Sequence, residues 1–290
     1  PMSDVVQVTG RVLASRPVGD YRHLTIAAPG VAGAAQPGHF VAVAVGGPTS
    51  ANLLRRCFSL HGVGTGPDGD TLDVVIAGKG PGTQWLVGLD AGAPVDVVAP
   101  LGTPFPLPDP GTSCVLVGGG YGSAPLFWLA QVLRDQGCPV QIVLGAATPD
   151  RLYGTQQATL VADGVTITTD DGSLGVRGWV SDVLPEVLTD SAATVTYSCG
   201  PMGMLQSVAE VSARLGAQAH VAVEESMACG IGVCMTCVLP VRAADGRTKM
   251  VRSCVEGPVF DGASIRWEAF SDGVCRVPAD AVGAPRPGGH

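Results

Sequence analysis

Four cysteines in the C-terminal third constrain this chain more than any other feature of its sequence. Cys229, Cys234 and Cys237 lie close together and Cys254 follows, which gives the spacing C-x4-C-x2-C…C. This spacing is typical of [2Fe–2S] centres, whose two irons are held by four thiolates. The alternative is a structural zinc ion, but zinc sites more often arrange their four thiolates as two C-x2-C pairs. The spacing therefore favours a [2Fe–2S] cluster and predicts a protein that moves single electrons.

Length, charge and hydropathy narrow the remaining classes. The 290 residues are enough for two ordinary domains and a small third one. A net charge of −8 with only two lysines, Lys79 and Lys249, gives no basic footprint for nucleic acid. We find no apolar run of membrane-spanning length and no signal-peptide pattern, so we expect a cytoplasmic protein without a membrane partner. Of the nine cysteines, those outside the cluster motif are scattered singly, which suits free thiols in a reducing compartment.

The segment between Cys237 and Cys254 carries most of the basic residues near the cluster motif. They are Arg242, Arg247, Lys249 and Arg252. A solvent-exposed hairpin and a docking patch are both compatible with this pattern, and charge runs of this kind more often belong to exposed hairpins.

Residues 4–108 have the pattern of an antiparallel β-barrel. Short β-rich runs are separated by Gly/Pro turns at 17–20, 29–33, 46–48 and 64–70. The predicted strands span residues 7–14, 21–27, 40–45, 58–61, 72–76 and 95–98. The proline-rich stretch 104–110 suits neither a helix nor a central strand, so it marks a domain boundary.

Residues 111–218 alternate between strands and helices, which predicts a doubly wound parallel sheet. Strands are predicted at 113–117, 140–144, 165–168 and 194–198, and helices with one apolar face at 126–136 and 202–215. A last strand is expected at 220–223, inside a small cluster module that spans 219–268. Residues 269–290 are rich in Gly and Pro, and we expect a flexible tail there.

Two motifs in the barrel carry groups that can bind phosphate. Arg56-Cys57-Phe58-Ser59 offers an arginine that can clamp a diphosphate and a serine that can hydrogen-bond a ring edge. Residues 78–83 follow a strand and precede an apolar run, which predicts a turn into a helix N-terminus that favours phosphate. The alternative for this turn is a plain glycine loop in which Thr83 is the N-cap.

Two further motifs lie at the carboxyl edge of the predicted parallel sheet. Residues 118–125 are a glycine-rich link between the first strand and its helix, where the pyrophosphate of a dinucleotide would meet a helix N-terminus. Pro125 stands where a third glycine is usual, and proline is well tolerated in the first turn of a helix. Cys199-Gly200-Pro201 repeats the arrangement at the fourth strand. Taken alone, Cys199 would more often be an inert core thiol.

In this order the motifs resemble the ferredoxin-reductase superfamily, which also has the barrel-strand motif seen here as Pro37-Gly38-His39-Phe40. More closely, the chain resembles the electron-transfer subunits of class 1B dihydroorotate dehydrogenases. The segments that carry this resemblance are 118–126, 197–205, 224–237 and 251–260, and it extends over residues 4–267.

The resemblance implies a flavin-binding barrel at 4–108, an NAD-binding domain at 111–218 and a [2Fe–2S] module at 219–268. It places Arg56 on the FAD pyrophosphate, Ser59 near the isoalloxazine ring and Cys199 near the nicotinamide. The implied FAD residues are Arg56, Cys57, Phe58, Ser59, Gly80, Gly82 and Thr83, with the choice between Gly80 and Gly82 open. The implied NAD(H) residues are Gly119, Gly120, Gly122, Cys199, Gly200 and Pro201, and the implied cluster ligands are Cys229, Cys234, Cys237 and Cys254.

The function that the resemblance implies is electron transfer in pyrimidine biosynthesis. An FMN-containing catalytic partner would oxidise dihydroorotate, and this subunit would deliver the electrons to NAD+ within a heterotetramer of two plus two chains. One alternative is an NADH-dependent reductase that serves another acceptor such as an oxygenase, although such reductases carry a larger ferredoxin domain. A non-enzymatic alternative is a zinc-stabilised binding module without cofactors.

Overall fold

The computed structural model of the protein describes residues 5–47, 49–67, 69–271 and 274–282. The strands are β1 Val6–Val18, β2 Tyr21–Ala27, β3 Phe40–Val43, β4 Arg56–Ser59, β5 Gly62–Gly66, β6 Gly69–Ala77, β7 Pro94–Leu101, β8 Cys114–Gly119, β9 Val140–Ala146, β10 Gly164–Thr169, β11 Val176–Arg177, β12 Val195–Cys199, β13 Gln218–Ala222, β14 Val238–Arg242, β15 Thr248–Arg252, β16 Val259–Asp261, β17 Phe270–Ser271 and β18 Val274–Cys275. The helices are α1 Pro81–Val87, α2 Ala124–Asp135, α3 Thr155–Val161, α4 Val180–Ser191 and α5 Met202–Arg214. Short 3₁₀ turns lie at Gly120–Ser123, Pro149–Arg151 and Trp267–Ala269.

The N-terminal half forms a curled antiparallel sheet of seven strands in the order β4-β3-β7-β1-β2-β6-β5. Alternate side chains of these strands point inward, because successive residues of a strand face opposite sides. Val12, Leu24, Leu72 and Val97 are fully buried in the resulting core, and α1 adds Leu86 to it. The sheet confirms the predicted antiparallel barrel-like fold.

Two turns that we expected in this sheet are shorter than predicted. β1 runs to Val18, so the turn predicted at 17–20 is reduced to residues 19–20, and β1 tolerates Pro17 because β7 pairs with β1 only up to Arg11. Beyond that point one edge of β1 is open, so the missing amide of Pro17 costs no ladder bond. Residues 64–66 of the predicted turn belong to β5, whose glycines have low strand propensity but pair with β6 at the sheet edge.

The second half contains a seven-stranded sheet in the order β11-β10-β9-β8-β12-β13-β16, parallel except at β16. Helix α2 packs on one face of the sheet through the fully buried Leu126 and Leu133. Helices α4 and α5 pack on the other face through residues such as Leu184 and Val208. Helices on both faces of a parallel sheet define the doubly wound arrangement, which confirms the predicted fold class.

The sequence patterns missed α3, β11 and α4 in this half. Pro185 lies inside α4, where it removes a backbone hydrogen bond and disguises the helical pattern. The helix forms nevertheless because Val180, Leu184 and Leu188 are buried against the sheet. In α5 the predicted apolar face ends early, since the helix stops at Arg214 and Leu215 is 49% exposed.

The cluster module contributes a strand to the second sheet and is not a separate unit after it. β13 was expected to be the last strand, but β16 pairs antiparallel with it, with Val221 opposite Phe260. Between them β14 and β15 form a hairpin, which confirms the hairpin interpretation of the basic segment.

The flexible tail expected from residue 269 does not begin there. β17 pairs with β18, and Asp280 accepts hydrogen bonds from Thr248 at 3.0 Å and from Arg266 at 2.8 Å. These contacts hold the chain through Val282 against the module, and residues 283–290 lie outside the described part.

The barrel and the parallel sheet touch through buried polar contacts beside the first helix of the sheet. The Nδ1 atom of His61 donates to the backbone oxygen of Ala124 at 2.6 Å, and the hydroxyl of Tyr21 donates to the backbone oxygen of Arg151 at 2.8 Å. The rings of His61, Phe127 and Tyr153 pack edge-on or tilted around the first contact. This interface fixes the barrel over the carboxyl edge of the sheet.

Candidate functional site

A cavity of about 940 Å³ separates the barrel from the carboxyl edge of the parallel sheet. The barrel contributes the strand end and turn at Ala77, Gly78 and Lys79, and the ammonium of Lys79 lies 5.0 Å above the ring of Tyr121. Ligands of open α/β sheets bind at this edge, outside the carboxyl ends of the strands. The cavity is therefore the natural place for a dinucleotide.

The glycine loop after β8 and the Cys-Gly-Pro motif after β12 meet at the floor of this cavity. A Cβ atom on Gly122 would lie 2.7 Å from the Cα atom of Gly200 and 2.9 Å from the backbone oxygen of Cys199. A Cβ atom on Gly119 would lie 2.8 Å from Cδ of Pro201. Gly122 is required because the two loops are in backbone contact there, and a side chain on Gly119 would collide with Pro201, so the structure brings the two predicted NAD motifs together.

Two ionisable groups lie beside these loops, and burial shifts the pKa of both. Cys199 is buried, and the loss of hydration raises the pKa of its thiol well above the usual value. Glu224 follows β13 and lines the cavity; desolvation by the surrounding protein raises the pKa of its carboxyl, while nearby Lys79 lowers it. The sequence motifs did not single out Glu224, although its position directly after a parallel strand is the signal that could have found it.

Arg56 and the turn before α1 form a second constellation, on the barrel. A Cβ atom on Gly82 would lie 2.9 Å from Nε of Arg56, so the guanidinium covers the first turn of the helix. The hydroxyl of Thr83 accepts hydrogen bonds from the backbone amides of Lys79 at 3.0 Å and Gly80 at 2.9 Å. Thr83 is therefore the third helical residue and closes the turn, and the N-cap is Gly80 rather than Thr83.

The side chain of Arg55 points away from this constellation. It forms an ion pair with Asp96 and donates to the backbone oxygens of Asp96 at 3.1 Å and Ala42 at 3.4 Å. Neighbouring residues of a strand face opposite sides, and here Arg55 stabilises the sheet while Arg56 lies at the α1 turn.

The remaining residues of the Arg-x-Phe-Ser motif divide between two surroundings. Phe58 packs against the barrel core, and Ser59 lies half-buried opposite Phe40. Cys57 instead packs against the loop that carries the predicted cluster ligands, in an apolar group with Cys237 and Cys254. The sequence placed Cys57 in the FAD motif and did not predict this contact.

The loop from Cys229 to Cys237 is irregular and curls around its own sulfur atoms. The amide of Ile231 donates to Sγ of Cys229 at 3.4 Å, and the hydroxyl of Thr236 donates to Sγ of Cys234 at 3.1 Å. Hydrogen bonds from Thr236, with a further one from Cys229, lower the pKa of Cys234 to about 6. Donors directed at sulfur stabilise thiolates, the form in which cysteine binds metal.

Two glycines and one arginine set the shape of this loop. Gly230 and Gly232 have φ angles of 73° and 84°, which favour glycine. The guanidinium of Arg252 donates to the backbone oxygen of Gly232 at 2.9 Å. It also forms an ion pair with Glu256, in which Nη2 lies 2.9 Å from Oε1. The loop is thus braced from the β15 end of the hairpin.

The four cysteines of the motif lie close enough to affect one another. After Thr236, Cys229 lowers the pKa of Cys234, and after burial, Cys237 raises the pKa of Cys254. In the described part of the chain no three His, Cys, Asp or Glu side chains converge on one point that could hold a single metal ion. The C-x4-C-x2-C…C spacing of these four thiols is the ligand pattern of a [2Fe–2S] centre.

Comparison with known proteins places the chain in a family. Residues 224–266 match the family model described as the iron-sulfur cluster binding domain of dihydroorotate dehydrogenase B. The dihydroorotate dehydrogenase B (NAD(+)) electron transfer subunit of Desulforamulus reducens is 36% identical over 241 residues, which cover 83% of this chain and 90% of that protein. The same subunit of Geobacillus thermodenitrificans is 36% identical over 261 residues, which cover 89% and 96%.

This chain belongs to the family of dihydroorotate dehydrogenase B electron transfer subunits. Membership confirms the resemblance and the electron-transfer class predicted from the sequence. It also argues against the reductase of an oxygenase and against a zinc-stabilised binding module.

Solved structures share the fold of this electron transfer subunit. The NADH-dependent reduced ferredoxin-NADP oxidoreductase, studied for flavin-based electron bifurcation, aligns with a TM-score of 0.77 and 27% identity over 90% of this chain and 91% of that one. A ferredoxin NADP+ reductase from Neisseria gonorrhoeae aligns with a TM-score of 0.59 and 15% identity over 74% and 92%, which shows the fold alone. Among the described residues no helix is long and apolar enough to cross a membrane.

Proposed function

We propose that the chain carries FAD and a [2Fe–2S] cluster and transfers electrons from a dihydroorotate-oxidising catalytic partner to NAD+. When bound, FAD supplies two-electron storage between a cluster that passes single electrons and a nicotinamide that accepts hydride. The protein's own contribution is to bind these groups and to hold them next to one another.

One observation carries this proposal: β4 links the α1 turn to the cysteine loop. Arg56 at its start covers the α1 turn, and the next residue, Cys57, packs on the cysteine loop. The strand end that leads into the α1 turn, at Gly78 and Lys79, also lines the nucleotide cavity. A chain of three adjacent sites is what a relay between one-electron and hydride carriers requires.

Each site contains groups that fit its proposed occupant. For FAD, the Arg56 guanidinium and the free amides of the first turn of α1 suit a pyrophosphate, and Ser59 lies two strand positions beyond Cys57. For the cluster, Cys229, Cys234, Cys237 and Cys254 supply four thiols in the spacing of a [2Fe–2S] centre, and donors from Ile231 and Thr236 point at two of their sulfur atoms.

For NAD(H), the loops at 118–122 and 199–201 pack together beside the cavity at the carboxyl edge of the sheet, where dinucleotide pyrophosphates bind. We accordingly assign flavin binding to the barrel at 4–108, NAD binding to 111–218 and cluster binding to 219–268. The first residue of the barrel range, Asp4, lies outside the described residues.

NADH is expected to reduce the flavin faster than NADPH. The cavity wall beyond the glycine loop contains Asp170, directly after β10, together with Thr168 and Trp179. An acidic side chain there suits a ribose 2′-hydroxyl and repels a 2′-phosphate, whereas Arg151 on the same wall acts in the opposite direction. In dinucleotide-binding sheets the deciding position commonly follows the second strand, here near residues 144–148, and the structure adds this acidic candidate one strand further.

Stopped-flow reduction of the flavin by the two nucleotides measures this preference. Asp170→Asn should narrow the ratio of NADH to NADPH rates several-fold, and Arg151→Ala should widen it. A clear NADPH preference in the unmodified protein would contradict the assignment and make Arg151 the dominant group.

The catalytic partner should dock on the surface that exposes the cysteine loop, because electrons enter there. Ile231, Val233 and Met235 lie between the cysteines and are exposed, at 43%, 74% and 53%. Of the basic residues on the neighbouring hairpin, Arg247 and Lys249 pair with Asp245, and Arg252 pairs with Glu256. The exposed Arg242 influences Glu268 and is the hairpin residue that we expect to attract an acidic partner. We propose two copies of each chain in the complex, as the family resemblance implies.

The isolated chain should oxidise NADH with artificial acceptors but should not oxidise dihydroorotate. A dihydroorotate site needs its own flavin and a general base, and the motifs of this chain are all taken up by FAD, NAD(H) and the cluster. Absorbance at the flavin band measures both reactions under anaerobic conditions. Bleaching by dihydroorotate in the absence of any partner would make the chain a self-sufficient dehydrogenase and would refute the proposal.

A further inference from the structure

The backbone of the cysteine loop lies against side chains of the barrel at Gly230. A Cβ atom placed on this residue would lie 3.1 Å from Sγ of Cys57, 3.5 Å from Cβ of Ala42 and 3.6 Å from Cε2 of Phe40. Ala42 and Cys57 are cross-strand partners on β3 and β4. The paired strands thus form a shallow seat, made of Phe40, Ala42 and Cys57, against which the loop backbone rests.

The contact is close on the side of Cys57. Gly230 is buried and has a φ of 73°, a backbone conformation that residues with a side chain rarely adopt, and an added Cβ atom would approach Sγ of Cys57 more closely than most real Cβ contacts. The apolar group around the seat includes Phe40, Ala42, Cys237 and Cys254, which are all buried. Close-packed groups of this kind transmit a change in the size of one member to its neighbours.

Cys57 is a thiol near the cluster ligands that is not one of them. It packs in one apolar group with Cys237 and Cys254, and it faces Gly230, the residue that follows Cys229. It is separated from Cys229 in the sequence by 172 positions, as the numbering shows, and belongs to the strand that also carries Arg56 and Ser59. A side chain in this position can affect both the placement of the loop and the polarity around its sulfur atoms.

We propose that Cys57 is a positioning residue that seats the cluster loop on the flavin strand and sets the polarity around Cys229 and Cys237. This inference rests on the proposed [2Fe–2S] cluster and adds a residue outside the four ligands. A small, weakly polar side chain is required, because the loop backbone passes at van der Waals distance. Cysteine meets the requirement since it behaves as a small hydrophobe with only a weak S–H donor.

Size and polarity at this position have separable consequences. Cys57→Leu should push Gly230 away from the seat and distort the spacing of the ligands, so iron should be lost more readily. Cys57→Ser keeps the size and introduces a stronger donor, which should raise the reduction potential of the cluster, because hydrogen bonds and polarity near the sulfurs set that potential. Neither change removes a ligand or a residue of the NAD site.

The test uses the full chain, purified anaerobically with its cofactors. Iron release to a ferrous chelator is followed by absorbance, and the potential is measured by a redox titration monitored by electron paramagnetic resonance. We expect several-fold faster iron release from the Cys57→Leu variant and an upward shift of the potential in the Cys57→Ser variant. The matched control is Cys275→Leu in the C-terminal β17–β18 hairpin, which should release iron at the wild-type rate.

Two results would overturn the inference. Iron release from Cys57→Leu that equals that of the wild type, or a wild-type potential in Cys57→Ser, would show that the contact does not position or tune the loop. If Cys57→Leu does not fold, as judged by circular dichroism, the smaller Cys57→Val change and the serine variant decide the question. Failure of the underlying cluster proposal looks different, because the wild-type protein would then contain no iron to release.

Discussion

Replacement of Cys234 by serine is expected to strip the cluster from the protein almost completely. Cys234 is exposed and makes no core contact, so its loss should leave the fold intact. A serine hydroxyl is a harder ligand with a far higher pKa than a thiol, and one iron would be left with a single protein thiolate. Iron and acid-labile sulfide analysis, together with the paramagnetic signal after dithionite reduction, measures the loss, while the flavin content should stay at the wild-type level.

Cys275→Ser provides the control for this experiment. Cys275 lies on β18, outside the C-x4-C-x2-C…C motif, and its replacement should change neither iron nor sulfide. Full retention of iron in the Cys234 variant, or equal loss in both variants, would remove Cys234 from the ligand set.

The second large effect is expected from Arg56→Ala, which should weaken the binding of FAD. The substitution removes a charge-assisted and potentially bidentate phosphate contact worth roughly 1.5–3 kcal/mol, or roughly a 10- to 150-fold increase in the dissociation constant. The affinity can be measured by fluorescence as FAD rebinds to the deflavinated protein. Arg56→Lys should recover part of the loss, because it restores the charge without the planar fork.

Arg55→Ala is the neighbouring comparison and should behave differently. Arg55 is paired with Asp96 and with two backbone oxygens of the sheet, so its removal should lower the thermal stability and leave the FAD affinity near the wild-type value. A loss of FAD affinity confined to the Arg55 variant would mean that the flavin phosphate lies on the other side of β4.

Most of the fold could be predicted from the sequence because its strands and helices follow the elementary patterns. β2 was predicted at its observed bounds, and α2 and α5 were placed within about two residues, since each carries a clear apolar face. The failures have physical causes. Pro185 hides α4, which is stabilised by tertiary burial of Leu184 and Leu188, and β16 is too short to be distinguished before its pairing with β13 is known.

The candidate site was predictable in its motifs and not in its contacts. Glycine loops and cysteine spacing are local signals, so residues such as Gly122 and Cys237 could be named from the sequence. The contact of Gly122 with Gly200 and the seat formed by Cys57 under Gly230 join residues far apart in the chain. Such contacts follow from the packing of the domains, which no local pattern records, and the same holds for Glu224 at the cavity wall.

We expect one chain to hold both an FAD and a [2Fe–2S] cluster in electronic contact with NAD(H). The most direct test is to analyse the anaerobically purified chain for iron, sulfide, zinc and flavin, and then to titrate it with NADH under argon. The account predicts about two irons and two sulfides per chain, bound FAD, and a paramagnetic signal of the reduced cluster that appears as NADH bleaches the flavin. A colourless protein that contains zinc and no flavin, or a cluster that NADH cannot reduce, would contradict it.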